Sequence, residues 1–302
     1  MSEDNEEVDT TSCCASCGVA EIDDIELTDC TDCNLVKYCS VNCQRDHRSH
    51  HEEECKKRAA DLRDKLLFKR PEGSHLGDCP ICCLPIPLDI NKSTLFWCCS
   101  KLVCNGCICA NMEREKEMRL LPSCSFCREL LPESKEEANK LTMKRVEAND
   151  PNAMWLQGVE EYKMGDYRSA FEYFTKATTG GCAQAHKELA VMYSKGHGVE
   201  RDEGKLIHHL EEAAIGGHPH ARYNLGIHEG NNNNNPERAV KHFIIAAALG
   251  EADSIKELMK AFRSEVISKE ELNVVLRAHQ DALNAMKSPQ RKIAEGIVSK
   301  YS

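Results

Sequence analysis

The segment Ala170–Gly181, "AFEYFTKATTGG", recurs twice further along the chain and decides the fold of the C-terminal half. The related segments are "LIHHLEEAAIGG" at Leu206–Gly217 and "AVKHFIIAAALG" at Ala239–Gly250. A large apolar residue, an alanine and a glycine coincide in the alignment, namely Phe174/Leu210/Phe243, Ala177/Ala213/Ala246 and Gly181/Gly217/Gly250. The steps of 36 and 33 residues are typical of helical repeat arrays.

Each of these segments is followed by a further helix start, which begins near Ala185, Ala221 and Ser254. Small residues at fixed places allow helices to cross closely, large residues fill the space between them, and glycine ends the second helix of each pair. The pattern therefore predicts an all-α helix–turn–helix solenoid.

Capping residues predict where three helices of this region begin. Asp150 precedes Pro151, which suits an N-cap followed by proline at the first helical position, and Asn235 precedes Pro236 in the same way. A further helix is expected after Ser268, because Glu271 completes a capping box.

One loop of the array carries a family signature. The residues Tyr193, Gly196, Gly198, Val199 and Asp202 follow the pattern Tyr-x-x-Gly-x-Gly-Val-x-x-Asp. With this loop pattern, the region from about residue 150 to 262 resembles the Sel-one-like branch of the tetratricopeptide repeats. The next loop departs from the pattern, with Glu229 in place of the usual tyrosine and then the run Asn231–Asn235.

The cysteines separate a cysteine-rich N-terminal part of the chain from a C-terminal part that has almost none. Of the 19 cysteines, 18 lie between Cys13 and Cys127, and only Cys182 lies beyond. The acidic start lacks the basic and apolar parts of a secretory signal, and no apolar run approaches the roughly 20 residues that span a bilayer. We expect an intracellular protein, cytoplasmic or nuclear, in which clustered thiols stay reduced and serve as metal ligands.

The first cysteine cluster, Cys14 to Cys55, contains four closely spaced donor pairs: Cys14/Cys17, Cys30/Cys33, Cys39/Cys43 and His51/Cys55. Two or three residues between the members of a pair let both side chains reach one metal, and eight donors suit two tetrahedral zinc ions. Cys13 is the alternative to Cys14 as the first donor.

The same cluster resembles a MYND-type zinc finger, including "YCS" around Cys39 and "CQ" at Cys43. The resemblance implies that the pairs interleave, with Cys14, Cys17, Cys39 and Cys43 on one zinc and Cys30, Cys33, His51 and Cys55 on the other. It also implies binding of protein partners, although Arg48 stands where the family commonly has tryptophan.

The second cysteine cluster contains Cys79/Cys82, the adjacent Cys98/Cys99, Cys104/Cys107 and Cys124/Cys127. It resembles the all-cysteine form of the RING domain of ubiquitin ligases, with Lys101 where many members have a histidine ligand. The resemblance implies one zinc on Cys79, Cys82, Cys104 and Cys107 and another on Cys98, Cys99, Cys124 and Cys127. Of these, Cys98 is the ligand whose assignment stays most open.

RING domains form no covalent intermediate; they hold a ubiquitin-loaded conjugating enzyme in a reactive geometry. The resemblance implies that Ile81 contacts the conjugating enzyme and that Arg128 hydrogen-bonds both this enzyme and ubiquitin. Ser125 replaces the usual proline, and the helix after Cys107 lacks the usual tryptophan. A non-enzymatic scaffold or adaptor is therefore the alternative function.

Net charge bears on the choice of partner. The formal charge is −10, and fifteen thiolates with four Zn²⁺ would bring it to about −17. Such a charge opposes binding to a nucleic-acid backbone, so we expect protein partners and neither nucleic acid nor membrane.

The sequence thus predicts a multidomain protein with two small zinc-stapled fingers followed by the helical solenoid. The expected segments are 1–13 (disordered acidic tail), 14–55 (MYND-like finger), 56–77 (helical linker), 78–132 (RING-like finger), 133–149 (linker), 150–263 (repeats) and 264–302 (C-terminal helices). The predicted function is a ubiquitin ligase with four zinc ions, whose repeats and MYND-like finger recruit protein clients.

Overall fold

A computed structural model describes residues 13–21, 25–232 and 234–298 of the chain. The chain divides into two compact units, Met1–Lys69 and Arg70–Ser302. Apart from Cys13, the predicted acidic tail lies outside the described residues.

The regular elements of the described residues are as follows. The first unit contains β1 (Thr28–Asp29), β2 (Lys37–Tyr38) and α1 (Val41–Leu67). The second unit contains β3 (Ser93–Leu95), β4 (Leu102–Cys104), α2 (Asn105–Met118), α3 (Lys135–Glu147), α4 (Pro151–Met164), α5 (Tyr167–Thr179), α6 (Ala183–Lys195), α7 (Glu203–Ile215), α8 (Pro219–Asn231), α9 (Pro236–Ala248), α10 (Asp253–Arg263), α11 (Lys269–Ala285) and α12 (Pro289–Val298). Among the described residues, no helix is both long and apolar enough to cross a membrane.

The first unit consists of a two-stranded antiparallel ladder, β1 with β2, and the long helix α1. Ser40 caps α1, because its hydroxyl accepts a hydrogen bond from the Cys43 backbone N–H at 3.2 Å. Residues 56–67 of the helical linker that we predicted over 56–77 form the second part of α1, which runs unbroken for 27 residues and ends at Leu67. The sequence holds no glycine or proline between Val41 and Leu67 to end it earlier.

The core of the first unit is small and rich in sulfur. Its buried members are Cys14, Leu27, Cys30, Cys33, Tyr38 and Cys55. Two larger apolar residues cannot stabilise a unit of this size, since small domains need a staple in addition to their core. The thiols therefore have to hold the unit together through a metal.

The helices of the second unit confirm the predicted solenoid, in which α4 packs on α5, α6 on α7 and α8 on α9. The three aligned alanines Ala177, Ala213 and Ala246 are completely buried, as are Ala185, Ala221 and Ser254. Small side chains at these six places permit the close helix crossings that the sequence predicted.

The aligned glycines close the second helix of each pair in the same way. Gly181, Gly217 and Gly250 have φ angles of 78°, 81° and 96°, which favour glycine. The residue after each glycine donates its backbone N–H to the carbonyl of the aligned alanine, over 3.2, 2.9 and 3.0 Å respectively. The recurrence of this helix end keeps the pairs in one geometry.

Large and small residues complement each other within the helix pairs. A Cβ added at Gly158 would lie 2.7 Å from the Phe174 ring, and one at Gly226 would lie 2.6 Å from the Phe243 ring. The aligned residues of the pair between them are Ala190 and Leu210, both buried. Where the second helix carries phenylalanine, the first carries glycine.

This complementarity predicts the effect of a single methyl group. Gly226→Ala should destabilise the second unit by about 1–3 kcal/mol, because the added carbon overlaps the Phe243 ring. Gly226→Ala with Phe243→Leu should regain much of the loss, since it reproduces the Ala190–Leu210 pair. Urea unfolding of the single and double variants measures both effects, and Gly230→Ala, where an added Cβ meets nothing closer than 3.6 Å, is the matched control. Equal stabilities for Gly226→Ala and Gly230→Ala would contradict the overlap.

The predicted helix caps are present. Asp150 accepts backbone hydrogen bonds from Asn152 and Ala153, and Asn235 accepts one from Arg238. Ser268 and Glu271 form the expected capping box.

The segment 133–149, which we predicted as a linker, contains helix α3 from Lys135 to Glu147, capped by Ser134. The capping serine and the first-turn acids Glu136 and Glu137 favour a helix at this place. The domain boundaries themselves stay predictions.

The segment before the second cysteine cluster is joined to the repeats through His75. Its backbone N–H donates to the Gly217 carbonyl at 3.0 Å, and its Nε2 lies 2.9 Å from Gln184 Oε1. Its ring stacks on that of His218, with 4.1 Å between centroids and 7° between planes. Burial lowers the pKa of His75 to about 4 and that of His218 well below its usual value.

The buried histidine pair predicts acid sensitivity of the second unit. As the pH falls from about 6.5 towards 4, these two histidines take up protons in the unfolded chain but not in the folded protein, so folding stability decreases. The shift at His75 alone corresponds to roughly 3 kcal/mol. His75→Phe keeps a stacking ring without the proton site and should flatten this part of the curve of urea midpoint against pH. His220→Phe removes an exposed histidine whose charge is only a minor cause of the lowered pKa of His218, so it should change the curve much less. A curve for His75→Phe as steep as that of the wild type would contradict the assignment.

Candidate metal centres

The structure brings all sixteen predicted donor side chains together in four groups. In each group, the donor atoms lie within 4.8 Å of one another. The groups are Cys14/Cys17/Cys39/Cys43, Cys30/Cys33/His51/Cys55, Cys79/Cys82/Cys104/Cys107 and Cys98/Cys99/Cys124/Cys127. These are the interleaved sets that the two finger resemblances imply.

The first group combines two donors from the start of the unit with two around the beginning of α1. Cys39 Sγ lies 3.6 Å from Cys17 Sγ and 3.5 Å from Cys43 Sγ. Within the described residues, the group includes the buried Cys14 and not the exposed Cys13. Cys13 instead pairs by a backbone bridge with Ala20.

The second group uses one face of α1. His51 and Cys55 are separated by one helical turn, so both side chains point the same way. His51 Nε2 lies 3.1 Å from Cys33 Sγ, and Cys55 Sγ lies 3.7 Å from Cys30 Sγ. The neighbouring His47 has a different partner, because its Nδ1 lies 3.2 Å from the Tyr38 hydroxyl.

The third and fourth groups are built around the antiparallel β3–β4 hairpin. The adjacent Cys98 and Cys99 lie in its turn, while Cys104 ends β4 and Cys107 lies in the first turn of α2. The sulfur atoms lie 3.9 Å apart in Cys79–Cys107, 3.8 Å in Cys82–Cys104, 3.3 Å in Cys98–Cys127 and 3.8 Å in Cys99–Cys124. The turn therefore lets two adjacent cysteines face one point.

Each group contains one thiol that favours ionisation. Burial opposes the thiolate of Cys14, but backbone N–H donors outweigh it and lower the pKa to about 6. The same balance lowers the pKa of Cys30 and of Cys79 to about 7, and it also lowers the pKa of Cys127.

Other thiols of the groups are held protonated. The pKa of Cys55 rises to about 12, because of burial, hydrogen bonding to Cys33 and Cys30 and repulsion from their charges. The pKa of Cys99 rises to about 11, through burial and the charge of Cys124. A divalent cation would remove this conflict, because it lets every thiol of a group ionise.

The donor sets fit zinc. Sulfur atoms about 2.3 Å from a tetrahedral Zn²⁺ would lie about 3.8 Å apart, close to most separations in the four groups. Thiolate and imidazole are also the ligand types that Zn²⁺ selects.

A basic residue that the sequence did not single out adjoins the third group. Arg291, near the start of α12, is buried and donates from Nη2 to Cys82 Sγ at 3.4 Å. The same guanidinium donates to the carbonyls of Pro85 at 2.7 Å and Leu84 at 3.1 Å. A positive charge at this place stabilises thiolate at the site.

The approach of α12 requires a glycine on α2. A Cβ added at Gly106 would lie 2.8 Å from the backbone nitrogen of Arg291. No local sequence pattern indicates that Arg291 reaches the third group, because it lies 209 residues beyond Cys82.

The two predicted contact residues lie at the surface of the same finger. Ile81 is 43% exposed, which is high for a large apolar side chain. Arg128 is also exposed, and its Nη1 donates to Asn111 Oδ1. By contrast, Ser125 is only 4% exposed.

Polar side chains fill the inner side of α2. Asn111 donates to Glu115 Oε1 at 2.7 Å, and Glu115 also accepts from the Ser123 hydroxyl at 2.6 Å and the Ser123 backbone at 3.1 Å. Both Asn111 and Glu115 are buried. This network ties α2 to the segment that carries Cys124.

Comparison with known families identifies two of the regions. The MYND finger family matches residues 14–55, and the Sel1 repeat family matches residues 155–182, 183–218 and 219–251. The protein is therefore a zinc-binding molecule with a MYND finger and Sel1 repeats, which are protein-interaction modules. Neither matched family includes Cys79–Cys127, so the RING resemblance stays a prediction.

Solved structures similar to the chain include two bacterial proteins. One is a Sel1 repeat protein from Oxalobacter formigenes, with 22% identity and a TM-score of 0.44, covering 57% of this chain and 50% of that one. The other is a protective antigen of uropathogenic Escherichia coli with an SLR fold, with 18% identity and a TM-score of 0.39, covering 57% and 37%. The chain thus spans half or less of each. A comparison with curated proteins found no match.

Proposed function

We propose that this protein is a RING-type ubiquitin ligase whose MYND finger and Sel1 repeats recruit the protein to be modified. The observation that carries the proposal is the interleaving of the third and fourth donor groups around the β3–β4 hairpin, beside the exposed Ile81. This arrangement supports a cross-braced finger with a contact surface for a second protein. The proposal includes the sixteen grouped side chains as zinc ligands, four to each of four ions.

In this function the zinc ions supply structure rather than chemistry, by fixing the loops that carry the contact residues. Ile81 lies between the ligands Cys79 and Cys82, and its exposed apolar surface would pack on the conjugating enzyme. Arg128 follows the ligand Cys127 directly, and its guanidinium has five donors in a planar fork. Both residues act by positioning, because no side chain of this chain forms a covalent intermediate.

Client proteins bind to the parts of the chain that do not contact the conjugating enzyme. The Sel1 repeats present a continuous helical surface, which is how helical arrays bind proteins. The MYND finger adds a second surface, on a separate unit. We place this activity inside the cell, in the cytoplasm or the nucleus, where thiol ligands stay reduced.

The test is discharge of ubiquitin from a panel of loaded conjugating enzymes by the full-length, zinc-loaded chain. We expect faster discharge of ubiquitin to free lysine with at least one enzyme of the panel. A Cys104→Ser variant, which loses a buried ligand of the third group, should not accelerate it. Discharge by the wild type no faster than by Cys104→Ser, for every enzyme, would overturn the proposal.

A non-enzymatic adaptor is the second candidate, and the burial of Ser125 favours it. The resemblance implies proline at this place, whereas Ser125 is 4% exposed and offers little surface to a second protein. The helix α2 likewise carries the polar Asn111–Glu115 network, and no tryptophan. An adaptor would bind its protein partners through all three modules and give no discharge.

A further inference from the structure

A groove of about 1400 Å³ lies within the second unit, between the region of the second cysteine cluster and the last two helices. We call it the finger–helix groove; it is lined by parts of 87–92, 105–106 and 283–295 and by Gly250. Among the described residues, its lining includes none of the sixteen grouped donors and neither Ile81 nor Arg128. The groove is therefore separate from the metal centres and from the proposed contact with the conjugating enzyme.

One part of the lining is apolar. Leu88, Leu283 and Met286 line the groove and are half-buried, so part of each side chain stays accessible. Gly250, which ends the last of the aligned segments, brings two of them together. A Cβ added at Gly250 would lie 3.0 Å from Met286 Cε and 3.6 Å from Leu88 Cδ1. An accessible apolar cluster in a concave site favours binding of an apolar group.

The charged part of the lining is mainly basic. Among the described side chains that line the groove, four are basic and two are acidic, on a chain whose formal charge is −10. Lys92 and Glu295 form an ion pair at 2.8 Å. The carboxylate of Asp89 accepts hydrogen bonds from the backbone and side chain of Asn91. Arg291 donates to backbone carbonyls and to a thiol, so its guanidinium is already engaged.

Lys287 and Lys292 are the two cations of the groove that remain available. Both are exposed, and within the part of the chain that the structure describes neither forms an ion pair. Lys287 Nζ donates to the neutral Asn284 Oδ1 at 3.0 Å. Helix α12 begins between the two lysines, so the partial positive charge of its first turn adds to theirs. Charges of one sign at a concave site attract a ligand of the opposite sign.

The size of the groove favours a segment of a protein over a small molecule. Pockets for small ligands typically have volumes of about 300–1,000 Å³, which is less than the volume of this groove. A peptide can also supply apolar side chains and carboxylates together, at spacings that match the two parts of the lining.

We propose that the finger–helix groove binds a short segment of a partner protein in which apolar residues adjoin aspartate or glutamate. The apolar side chains pack against Leu88, Leu283 and Met286, and the carboxylates pair with Lys287 and Lys292. Burial of the apolar side chains provides affinity, and the charge pairs at the edge favour acidic partners over basic ones. This surface is additional to the Sel1 repeats and the MYND finger.

The experiment is selection from a phage-displayed library of random twelve-residue peptides on the full-length, zinc-loaded chain. The selected peptides are then tested by fluorescence anisotropy against Lys287→Glu/Lys292→Glu, which reverses both available cations. We expect a group of peptides that contain acidic and apolar residues and whose Kd rises at least about tenfold in this variant. Lys140→Glu/Lys144→Glu reverses two exposed lysines of α3 outside the groove and should bind these peptides like wild type.

Changes in the peptides separate the two parts of the lining without altering the protein. Replacing the acids of a selected peptide by their amides, or its apolar residues by serine, should each raise the Kd at least about tenfold. Hydrogen exchange with mass spectrometry should locate protection by the bound peptide in 87–92 and 283–295. If the charge reversal changes the circular-dichroism signal, Lys287→Gln/Lys292→Gln provides the same comparison.

Three results would overturn the proposal. The first is a selection in which no peptide depends on Lys287 and Lys292. The second is protection by the lysine-dependent peptides that is confined to the repeats. The third is self-association of wild type, measured by light scattering, that the charge-reversed variant loses, because the groove would then bind a second copy of this chain. None of these measurements involves ubiquitin, so the outcome is independent of the proposed ligase activity.

Discussion

Removal of zinc by a chelator is expected to unfold residues 14–55 and the hairpin that carries the second cysteine cluster, and to release four zinc ions per chain. The binding free energy of structural zinc is about 10–16 kcal/mol in small zinc-finger peptides. A unit of this size cannot stay folded after losing that contribution to its stability. The core of the first unit consists mainly of its own ligands, so nothing replaces the metal.

The same treatment should leave most of the helical signal of α4–α10. These helices bury Phe174, Leu189 and Leu258 among their neighbours and contain none of the donor groups. Far-UV circular dichroism gives the helical content, and hydrogen exchange with mass spectrometry locates the loss. Restored zinc should reverse the change, which provides the control.

Two outcomes would contradict this expectation. Loss of most of the helical signal on chelation would mean that the repeats depend on the cysteine groups for their fold. Release of two zinc ions or fewer would mean that at least one of the two predicted fingers does not hold its two zinc ions.

Replacement of Ile81 or Arg128 by alanine is expected to slow ubiquitin discharge at least about tenfold, which corresponds to about 1.4 kcal/mol on the barrier. Ile81→Ala removes exposed apolar surface, and Arg128→Ala removes a fork of donors. Neither residue belongs to a donor group, so zinc content should not change. Single-turnover discharge with the most active conjugating enzyme measures the effect.

The finger offers a matched control for each variant. Leu121 is a more exposed apolar residue than Ile81, at 69% against 43%. Arg119 is an exposed arginine whose φ of 54° resembles the 67° of Arg128, so that alanine brings similar backbone strain at both places. Leu121→Ala and Arg119→Ala should discharge as fast as wild type. If they slow it as much as Ile81→Ala and Arg128→Ala, the proposed contact residues are wrong.

The sequence predicted those parts of the fold that depend on regular spacing. The alignment of Ala177, Ala213 and Ala246 located buried helix crossings, because a repeat places equivalent residues in equivalent surroundings. The spacing of the cysteines likewise indicated the donor pairs, and the finger resemblances implied which pairs the structure groups, with the buried Cys14 in the first group.

The features that the sequence did not reveal are contacts between distant parts of the chain. His75 stacks on His218, and Arg291 reaches Cys82, across separations that no local pattern records. Helix α1 continues from the finger into the predicted linker, because no helix-breaking residue separates the two segments.

The contact between Arg291 and Cys82 bears on the order in which the protein is made. At about 5–20 residues per second, roughly 10–40 seconds of synthesis separate these two residues. During that interval the third donor group has its four thiols and lacks the guanidinium beside them. A ribosome-bound chain that stops short of Arg291 should therefore hold its metal at this site less firmly than a chain that includes it, so a helix made much later completes the surroundings of an early metal site.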